Sequence, residues 1–322
     1  MRSFVKPRVV VSRCLGFAAC RYDGAMIADA FVARLKDHVT FCPVCPEMEI
    51  GLGCPRDPIR VVLSGGKRSL VQPSTGRDVT EPMAAFAARF LGDMGEVDGF
   101  ILKSRSPSCG IKDVKVYGGP ERDMPQETGR GFFGAAVLDR FPDAAVGEEG
   151  RMLNFTLREH FLTRLFTLAT FREILRSGRP RDLVEFHAAN KGLLMGYHQT
   201  EMRAMGRLVA GLGKRPDADI FAEYGPRLAH ALARPPRFTS IINVLQHAMG
   251  YVSEGLAAPE KAYFLECLEK YRAGQLPLSV PTSMVKAWAI RFNAANLLSQ
   301  TYLEPYPEAL VAISDSGKGR GG

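Results

Sequence analysis

The pattern of apolar residues changes near residue 150, and this change limits the folds open to the 322-residue chain. Before it, short apolar runs alternate with stretches of helical spacing, which is typical of an α/β fold with a mainly parallel sheet. After it, apolar residues recur only at helical spacing. The runs that predict strands lie at residues 9–11, 39–42, 60–63 and 97–102, with Pro43 expected to end the second. The predicted helices of the second half span residues 153–175, 181–212, 219–233, 237–255, 259–272 and 281–298.

These patterns predict two domains and a tail. Residues 1–145 are expected to form an α/β domain with Rossmann-like layers, and residues 151–312 an all-α domain, joined by a polar stretch rich in Gly and Glu. Residues 313–322 are predicted to be disordered because they are polar and rich in Gly. No run of 18 apolar residues predicts a membrane span, and the N-terminus lacks the apolar core of a signal peptide, so a cytoplasmic protein without a membrane partner is expected.

The formal net charge of +8 is concentrated in the second half. Residues 1–150 carry 20 Lys and Arg against 19 Asp and Glu, whereas residues 151–322 carry 22 against 15. A basic helical domain is compatible with an RNA partner, but it is equally compatible with a soluble domain or with a cap over an active site. The basic residues and histidine that we single out for RNA contacts are His187, Lys191, Arg203, Arg207, Lys214 and Arg215.

Six of the seven cysteines lie within the first 109 residues. Clustered cysteines without an export signal indicate metal binding or catalysis more often than disulfides. Cys14, Cys45 and Cys109 each follow a predicted strand. Because ligands bind beyond the carboxyl ends of parallel strands, these three thiols are expected to converge at one edge of the sheet.

The Cys42-Pro43-Val44-Cys45 segment leaves several interpretations open. It could be half of a zinc site, although no second pair of ligands follows it. It could be a thioredoxin-like redox pair at the start of a helix. The cysteines could also be ordinary buried residues, or they could hold an iron–sulfur cluster through widely spaced ligands. Phosphate-binding and dinucleotide-binding glycine loops are not found, and a Ser-His-Asp hydrolase is disfavoured because His38 is the only histidine of the first half.

Four motifs surround these cysteines: Ser12-Arg13-Cys14, Arg21-Tyr22-Asp23-Gly24, Val44-Cys45-Pro46-Glu47 and Ser106-Pro107-Ser108-Cys109-Gly110. With these motifs, residues 7–145 resemble the TudS-like desulfidase family. The helical half, with Phe186-His187 and residues 191–198, resembles a second domain that occurs fused to it. This two-domain form is similar to the RudS type, which is linked to removal of sulfur from 4-thiouridine, whereas single-domain relatives act on free thiouracil.

The resemblance implies that three cysteines hold a 4Fe–4S cluster and leave one iron open to the sulfur of a thiolated uracil. Matched motif by motif, these ligands are Cys14, Cys45 and Cys109, while the roles of Cys20, Cys42 and Cys54 stay open. The reaction would be a non-redox replacement of sulfur by the oxygen of water, with uracil or uridine, free or in tRNA, as the product. The other site residues expected are Glu47 as the general base, Ser106 and Ser108 as hydrogen-bonding groups, and Arg13, Tyr22 and Arg105 in contact with the substrate.

Two further functions are compatible with the same residues. An RNA-binding protein with a structural metal site would bind tRNA but release no sulfide. A thiol-redox protein would use Cys42 and Cys45 as its reactive pair.

Overall fold

A computed structural model describes residues 2–312 of the chain, and the predicted disordered tail lies outside the described residues. The chain divides into two compact units. One contains residues 5–169 together with 309–312, and the other contains residues 170–308 together with 2–4. The first unit contains all the strands found among residues 2–312, and the second is helical. The predicted fold class, an α/β part followed by an all-α part, is confirmed.

A parallel sheet forms the centre of the α/β unit. Its strands are β1 (Arg8–Ser12), β2 (Thr40–Val44), β6 (Gly99–Leu102) and β9 (Ala145–Glu148), in the spatial order β2-β1-β6-β9. Three of these strands were predicted, whereas β9 lies in the stretch that was expected to join the domains. Parallel pairing brings the carboxyl ends of all four strands to one edge.

Pro43 lies inside β2, where it is paired with Val11, so the prediction that it ends the strand is wrong. The reason is the position of β2 at the edge of the sheet. An edge strand has one side without a partner strand, and a proline there removes no hydrogen bond from the ladder. The strand therefore continues to Val44 and places Cys45 directly after its end.

The unit also contains a second, mixed sheet. The sequence pattern predicted only one of its strands, at residues 60–63. It consists of β3 (Arg60–Ser64), β4 (Lys67–Gln72), β5 (Arg77–Asp78), β7 (Val114–Tyr117) and β8 (Pro125–Gly129), in the order β5-β4-β3-β7-β8. Strands β5 and β8 are polar and largely exposed, so they show no alternation of apolar and polar residues that a sequence pattern could reveal.

One apolar core joins the two sheets within this unit. The helices of its first 140 residues are α1 (Ala30–Leu35), α2 (Pro46–Glu49), α3 (Thr80–Asp93) and α4 (Phe132–Arg140). Helices α3 and α4 contribute Met83, Phe86 and Phe133, which pack with Phe100 of β6 and Val116 of β7. Burial of such side chains stabilises the unit by roughly 1.5–3 kcal/mol for each.

The long helix α5 (Phe155–Ser177) covers the other face of the parallel sheet with its first half. Leu165 packs directly over Gly99, and Phe161 packs near Gly147 and edge-on against Phe31. A Cβ at Gly99 would lie 2.8 Å from Leu165 of this helix, and one at Gly147 would lie 2.6 Å from Met152 and 3.2 Å from Phe161, so neither position leaves room for a side chain. The division between the two units therefore falls inside α5, after Ala169, rather than between residues 145 and 151 as the sequence pattern suggested.

The helical unit is built from the remainder of α5 and six further helices among the described residues. Its buried core includes Leu245, Phe264, Leu268 and Trp288. The predicted helix at 281–298 is two helices, since the backbone turns at Asn293 with a positive φ of 47°. Among residues 2–312, no helix combines the length and the apolar character needed to cross a bilayer. The helices are α6 (Pro180–Val209), α7 (Asp217–Ala231), α8 (Phe238–Gly250), α9 (Ala258–Arg272), α10 (Ser279–Arg291) and α11 (Ala295–Leu298).

Candidate metal centre

Three cysteines lie at the carboxyl edge of the parallel sheet. Cys14 follows β1 by two residues, Cys45 directly follows β2 and begins α2, and Cys109 lies in the turn that follows β6. All three side chains are buried. The structure therefore brings together the three thiols that sequence reasoning expected to converge, because the order β2-β1-β6 makes the three parent strands neighbours.

The three thiols lie close enough to influence one another electrostatically. Burial, and next the neighbouring Cys45 thiol, raises the pKa of Cys14 to about 11. Burial also raises the pKa of Cys109, a hydrogen bond with Ser12 opposes this shift, and Cys14 and Cys45 add to it. Adjacent buried thiolates repel one another and lack solvation, so this pocket favours thiolates only when a cation shares it.

The other cysteines of this unit lie in different surroundings. Cys20 is buried beside Cys45, and burial together with that neighbour raises the pKa of Cys20 to about 12. The Cys54 sulfur lies 3.2 Å from the carbonyl oxygens of both Ala19 and Arg21, which share its single thiol proton. Cys42 is exposed on β2, whereas Cys45 is buried beyond the strand end. This difference in exposure gives no support to the redox-pair interpretation of the two residues.

Glu47 is held by a chain of hydrogen bonds behind the cysteines. Nε and Nη2 of Arg56 donate to its Oε2 at 2.8 and 2.6 Å, and the Ser108 hydroxyl donates to its Oε1 at 2.6 Å. The Ser106 and Ser108 hydroxyl oxygens are 2.9 Å apart. Ser106 Oγ also accepts from the backbone N–H of Cys109, so its own proton is available for Ser108. The resulting order, Ser106 to Ser108 to Glu47, is a path along which a proton can reach a carboxylate.

Sequence reasoning did not identify Arg56 as a site residue. Its side chain is 4% exposed, and Nη1 donates to the carbonyl oxygens of Gly53 and Cys20 at 2.8 and 3.1 Å. Charge-assisted bonds to three separate segments fix the Glu47 carboxylate relative to the cysteine loops. Nothing in the spacing of Arg56 from Glu47 signals this contact, because it depends on the path of the loop between them.

A second network missed by sequence reasoning joins the ends of β6 and β9. Lys103 Nζ contacts Glu149 Oε1 at 2.5 Å, and the backbone N–H and the hydroxyl of Ser104 both donate to this carboxylate at 2.7 Å. The charges of Lys103 and Glu149 both reach the Cys14 thiol, the first lowering its pKa and the second raising it. Glu149 directly follows a strand, as the cysteines do, so prediction of β9 would have identified it as a residue of this edge.

The turn that carries Ser106, Ser108 and Cys109 packs so closely against the start of α4 that two glycines there have no room for a side chain. A Cβ added at Gly131 would lie 2.6–2.7 Å from three carbonyl oxygens of this turn, and one at Gly134 would lie 2.5 Å from the carbonyl oxygen of Gly110. The backbone N–H groups of these two glycines donate to the turn, to Gly110 O at 2.7 Å and to Ser108 O at 2.9 Å. The turn is therefore anchored through its main chain to the start of α4.

The residues expected to contact the substrate are more exposed than the three cysteines. Arg13 forms a salt bridge with Glu49 at 2.8 Å, and both side chains are about one-third exposed. Tyr22 is exposed, with the Arg21 guanidinium 5.7 Å from its ring centre. Arg105 is exposed and has a left-handed backbone with φ 58°. A non-glycine residue in this conformation is uncommon and marks a tightly constrained turn.

The residues expected to contact RNA lie in the helical unit and differ in exposure. His187 is half-buried, and its Nδ1 is 3.0 Å from the Tyr224 hydroxyl. Burial, and next the charge of Lys191, lowers the pKa of His187. The remaining residues of the set are exposed: Lys191, Arg203, Arg207, Lys214, and Arg215, which forms a salt bridge with Glu223.

The donor set fits an iron–sulfur cluster better than a single metal ion. Within residues 2–312, no three His, Cys, Asp or Glu side chains lie close enough together to bind one ion. In a cubane cluster each thiolate binds a different iron, so its ligands lie farther apart than those of a zinc ion. Three buried cysteines that follow neighbouring strands of one sheet match this requirement.

Comparison with known proteins finds two families along the chain. Residues 9–149 match the model of the 2-thiouracil desulfurase family. Residues 191–307 match the model of DUF1722, a family described as proteins of unknown function. The two matches fall on either side of the predicted domain boundary.

Three individual proteins are similar to the chain. YbbK of Bacillus subtilis (strain 168), an uncharacterized protein, is 35% identical over 109 residues, which are 32% of this chain and 72% of YbbK. YbgA of Escherichia coli (strain K12), also uncharacterized, is 26% identical over 151 residues, 46% of this chain and 89% of YbgA. Among solved structures, the [4Fe-4S]-dependent thiouracil desulfidase TudS is 29% identical, with a TM-score of 0.36, and the match covers 46% of this chain and 93% of TudS.

Proposed function

The chain belongs to the TudS-like, 2-thiouracil desulfurase family through residues 9–149, and from this premise we propose that it is an iron–sulfur-dependent desulfidase of thiolated uracil. The proposed reaction replaces the sulfur of a thiocarbonyl by the oxygen of water and releases sulfide. Atoms and charges balance without an oxidant, since one water supplies the oxygen to carbon and both protons to the departing sulfur. The observation that supports this function most directly is the pocket of Cys14, Cys45 and Cys109 at one sheet edge.

These three cysteines would hold a 4Fe–4S cluster, as the family resemblance implies. When bound, the cluster supplies an iron without a protein ligand, a Lewis acid that suits the soft sulfur of a thiocarbonyl. Burial raises the pKa of Cys14 and of Cys109, so in the absence of a metal both are neutral thiols at pH 7. Metal binding therefore releases protons and stabilises the folded loops.

Glu47 is the proposed base, and it acts through the two serines. Its Oε2 is occupied by Arg56, and its Oε1 accepts the proton of Ser108. Ser108 is fully buried, whereas Ser106 is only partly buried and is the member of the chain nearest to solvent. A water that attacks the thiocarbonyl carbon would pass its proton to Ser106 as Ser106 donates to Ser108 and Ser108 to Glu47. Arg13, which is partly exposed, and the exposed Tyr22 and Arg105 are proposed to bind the substrate.

More specifically, we propose that the substrate is 4-thiouridine, as a nucleotide or within tRNA. The basic helical unit supports it, because the exposed cations Lys191, Arg203, Arg207 and Lys214 suit a phosphate backbone. The half-buried His187 supports the packing of α6 on α7 through Tyr224 and is the weakest member of the proposed RNA-binding set. Cysteine ligands and the exposed Cys42 also suit a reducing compartment, which favours the cytoplasm.

The test is a sulfide assay on protein purified under anaerobic conditions. We expect bound iron and acid-labile sulfide, and loss of the 4-thiouridine absorbance with release of an equal amount of sulfide. Replacement of Cys14, Cys45 or Cys109 by Ser should abolish both the bound iron and the activity, whereas Cys42→Ser, on the exposed side of β2, should retain both. An iron-free protein that is folded and active would disprove the proposal, and tRNA binding without sulfide release would favour an RNA-binding role.

A further inference from the structure

Two adjacent glutamates at the end of β9 are buried. Glu148 is the last residue of the strand and is 3% exposed, and Glu149 follows it and is 9% exposed. Successive side chains of an extended chain point to opposite sides, so two neighbours can reach two different segments. Burial of a carboxylate costs free energy unless hydrogen-bond donors surround it, so each glutamate needs donors of its own.

Glu149 binds the start of the turn that carries the site residues. Its Oε1 lies 2.5 Å from Lys103 Nζ and accepts the Ser104 hydroxyl at 2.7 Å, and its Oε2 accepts the Ser104 N–H at 2.7 Å. The next residue, Arg105, has the left-handed backbone that marks a tight bend, and Ser106 follows it. Glu149 therefore fixes the chain that leads into the outer hydroxyl of the proposed proton path.

Glu148 binds the other end of the same turn. Its Oε1 accepts the N–H of Ile111 at 2.8 Å, and the N–H of Lys112 also donates to this carboxylate. Burial raises the pKa of Glu148, and these two N–H groups oppose the shift. Only Gly110 separates Ile111 from Cys109. Glu148 therefore fixes the chain directly beyond a proposed cluster ligand.

The pairing of β9 with β6 places both glutamates level with the start of this turn. Leu102, the last residue of β6, is paired with Glu148, and the N–H of Glu149 donates to Leu102 O at 3.4 Å. The end of a strand within a sheet is a rigid reference, and the two carboxylates hold residues 103–104 and 111–112 against it. One strand end thus sets the positions of both ends of the turn.

We propose that Glu148 and Glu149 are positioning residues with different roles, Glu148 holding Cys109 in place for the cluster and Glu149 holding Ser106 in place for proton transfer. The inference rests on the proposed function and adds two residues that act through others. A ligand that is already ordered loses less conformational freedom when the cluster binds. A hydroxyl held close to the reacting water transfers its proton more often than a mobile one.

The test compares Glu148→Gln with Glu149→Gln in the anaerobically purified full chain. Each change keeps the shape of the side chain but replaces one acceptor oxygen by a donor, so one partner loses its hydrogen bond. Glu148→Gln should lose iron to a chelator about tenfold faster than the wild type, with kcat per bound cluster within about twofold. Glu149→Gln should keep the wild-type rate of iron loss, with kcat about tenfold lower and KM within about threefold. Glu127→Gln is the matched control, since Glu127 also pairs with a cation but on the exposed strand β8.

Hydrogen exchange measures the two positions without turnover. In the chelator-treated full chain, Glu148→Gln should speed amide exchange in peptides that cover residues 109–112, and Glu149→Gln in peptides that cover residues 103–106, each leaving the other end unchanged. The same losses of iron and of kcat in both variants, or faster exchange throughout the unit, would overturn the proposal while sulfide release by the wild type still supported the desulfidase function. A wild type that releases no sulfide would refute that function, whereas local changes in exchange and iron loss would still support the two positioning contacts.

Discussion

Arg56 binds Glu47 through a single carboxylate oxygen. Both Nε and Nη2 donate to Oε2, at 2.8 and 2.6 Å, and this leaves Oε1 to accept the Ser108 hydroxyl. The two oxygens of one carboxylate thus have separate tasks, one in anchoring and one in the hydrogen-bond chain toward Ser106. Both side chains are nearly buried, so the pair cannot rearrange without leaving a charge uncompensated.

Loss of Arg56 should therefore disturb Glu47 more than it disturbs substrate binding. We expect Arg56→Met to lower kcat about 100-fold, with KM changed less than threefold, and Arg56→Lys to recover part of the loss because it restores the charge but not the forked geometry. Arg68→Met is the control, since its pair with Glu127 at 2.6 Å is more than 40% exposed. A KM effect as large as the kcat effect, or no recovery in Arg56→Lys, would contradict a positioning role.

The two serines should differ in their contribution to turnover. Ser108 lies between Glu47 and Ser106 and is fully buried, so Ser108→Ala should lower kcat by about 100-fold to 1000-fold. Ser106→Ala should cost less, about tenfold, because a water can replace the outer hydroxyl. Ser64→Ala, exposed at the end of β3, is the control. Steady-state kinetics under anaerobic conditions measure all three, and a larger loss in Ser106→Ala than in Ser108→Ala would reverse the proposed order.

Gly134 should be intolerant of any side chain. A Cβ there would lie 2.5 Å from Gly110 O and 2.6 Å from Cys109 O, so Gly134→Ala must displace the turn that carries Cys109. We expect a loss of bound iron and a fall of roughly 2–4 kcal/mol in the free energy of unfolding. Gly92→Ala, inside α3 with open space around it, should leave iron content unchanged and stabilise the protein by up to about 1 kcal/mol. Iron analysis and denaturant unfolding of both variants measure these two effects. Unchanged iron content and stability in Gly134→Ala would contradict the prediction.

His160 of α5 should make stability fall in mild acid. Burial, and next the charge of Arg164, lowers the pKa of His160 to about 4 from 6.5. As the pH falls, the unfolded chain binds this proton at a higher pH than the folded chain does. The contribution of His160 to the free energy of unfolding is therefore fully present above pH 6.5, and roughly 2–3 kcal/mol is lost as the pH falls toward 4. His160→Gln should flatten the dependence of the unfolding midpoint on pH between 7 and 4, whereas the exposed His247→Gln should not. An unchanged slope in His160→Gln would show that other groups cause the acid loss.

The convergence of Cys14, Cys45 and Cys109 could be predicted from the sequence because their strands are short apolar runs and parallel strands align their carboxyl ends. Arg56 and Lys103 could not be identified in this way, because their partners depend on loop paths that no periodicity encodes. Glu149 was missed for a different reason. The strand before it contains only four residues, one of them a glycine, and it resembles a polar linker.

The boundary between the two units could not be located from the sequence pattern either. Apolar spacing indicated that residues 153–175 form a helix, but it could not show which neighbours that helix covers. The first half of α5 packs on the parallel sheet, with Leu165 over Gly99, so this half belongs to the α/β unit although its composition matches the helical one. Gly99 was predicted to lie in a strand, and it does, but the sequence pattern could not show that it also lets a helix approach closely.

The position of α5 has a practical consequence for expression of the family-matched part alone. A gene fragment ending at residue 149 would encode every proposed cluster ligand but would strip Leu165 and Phe161 from the sheet face that they shield. In such a fragment the apolar face of the sheet would be exposed to solvent, so we expect the fragment to aggregate. A fragment that extends through residue 169 would keep this face buried under α5.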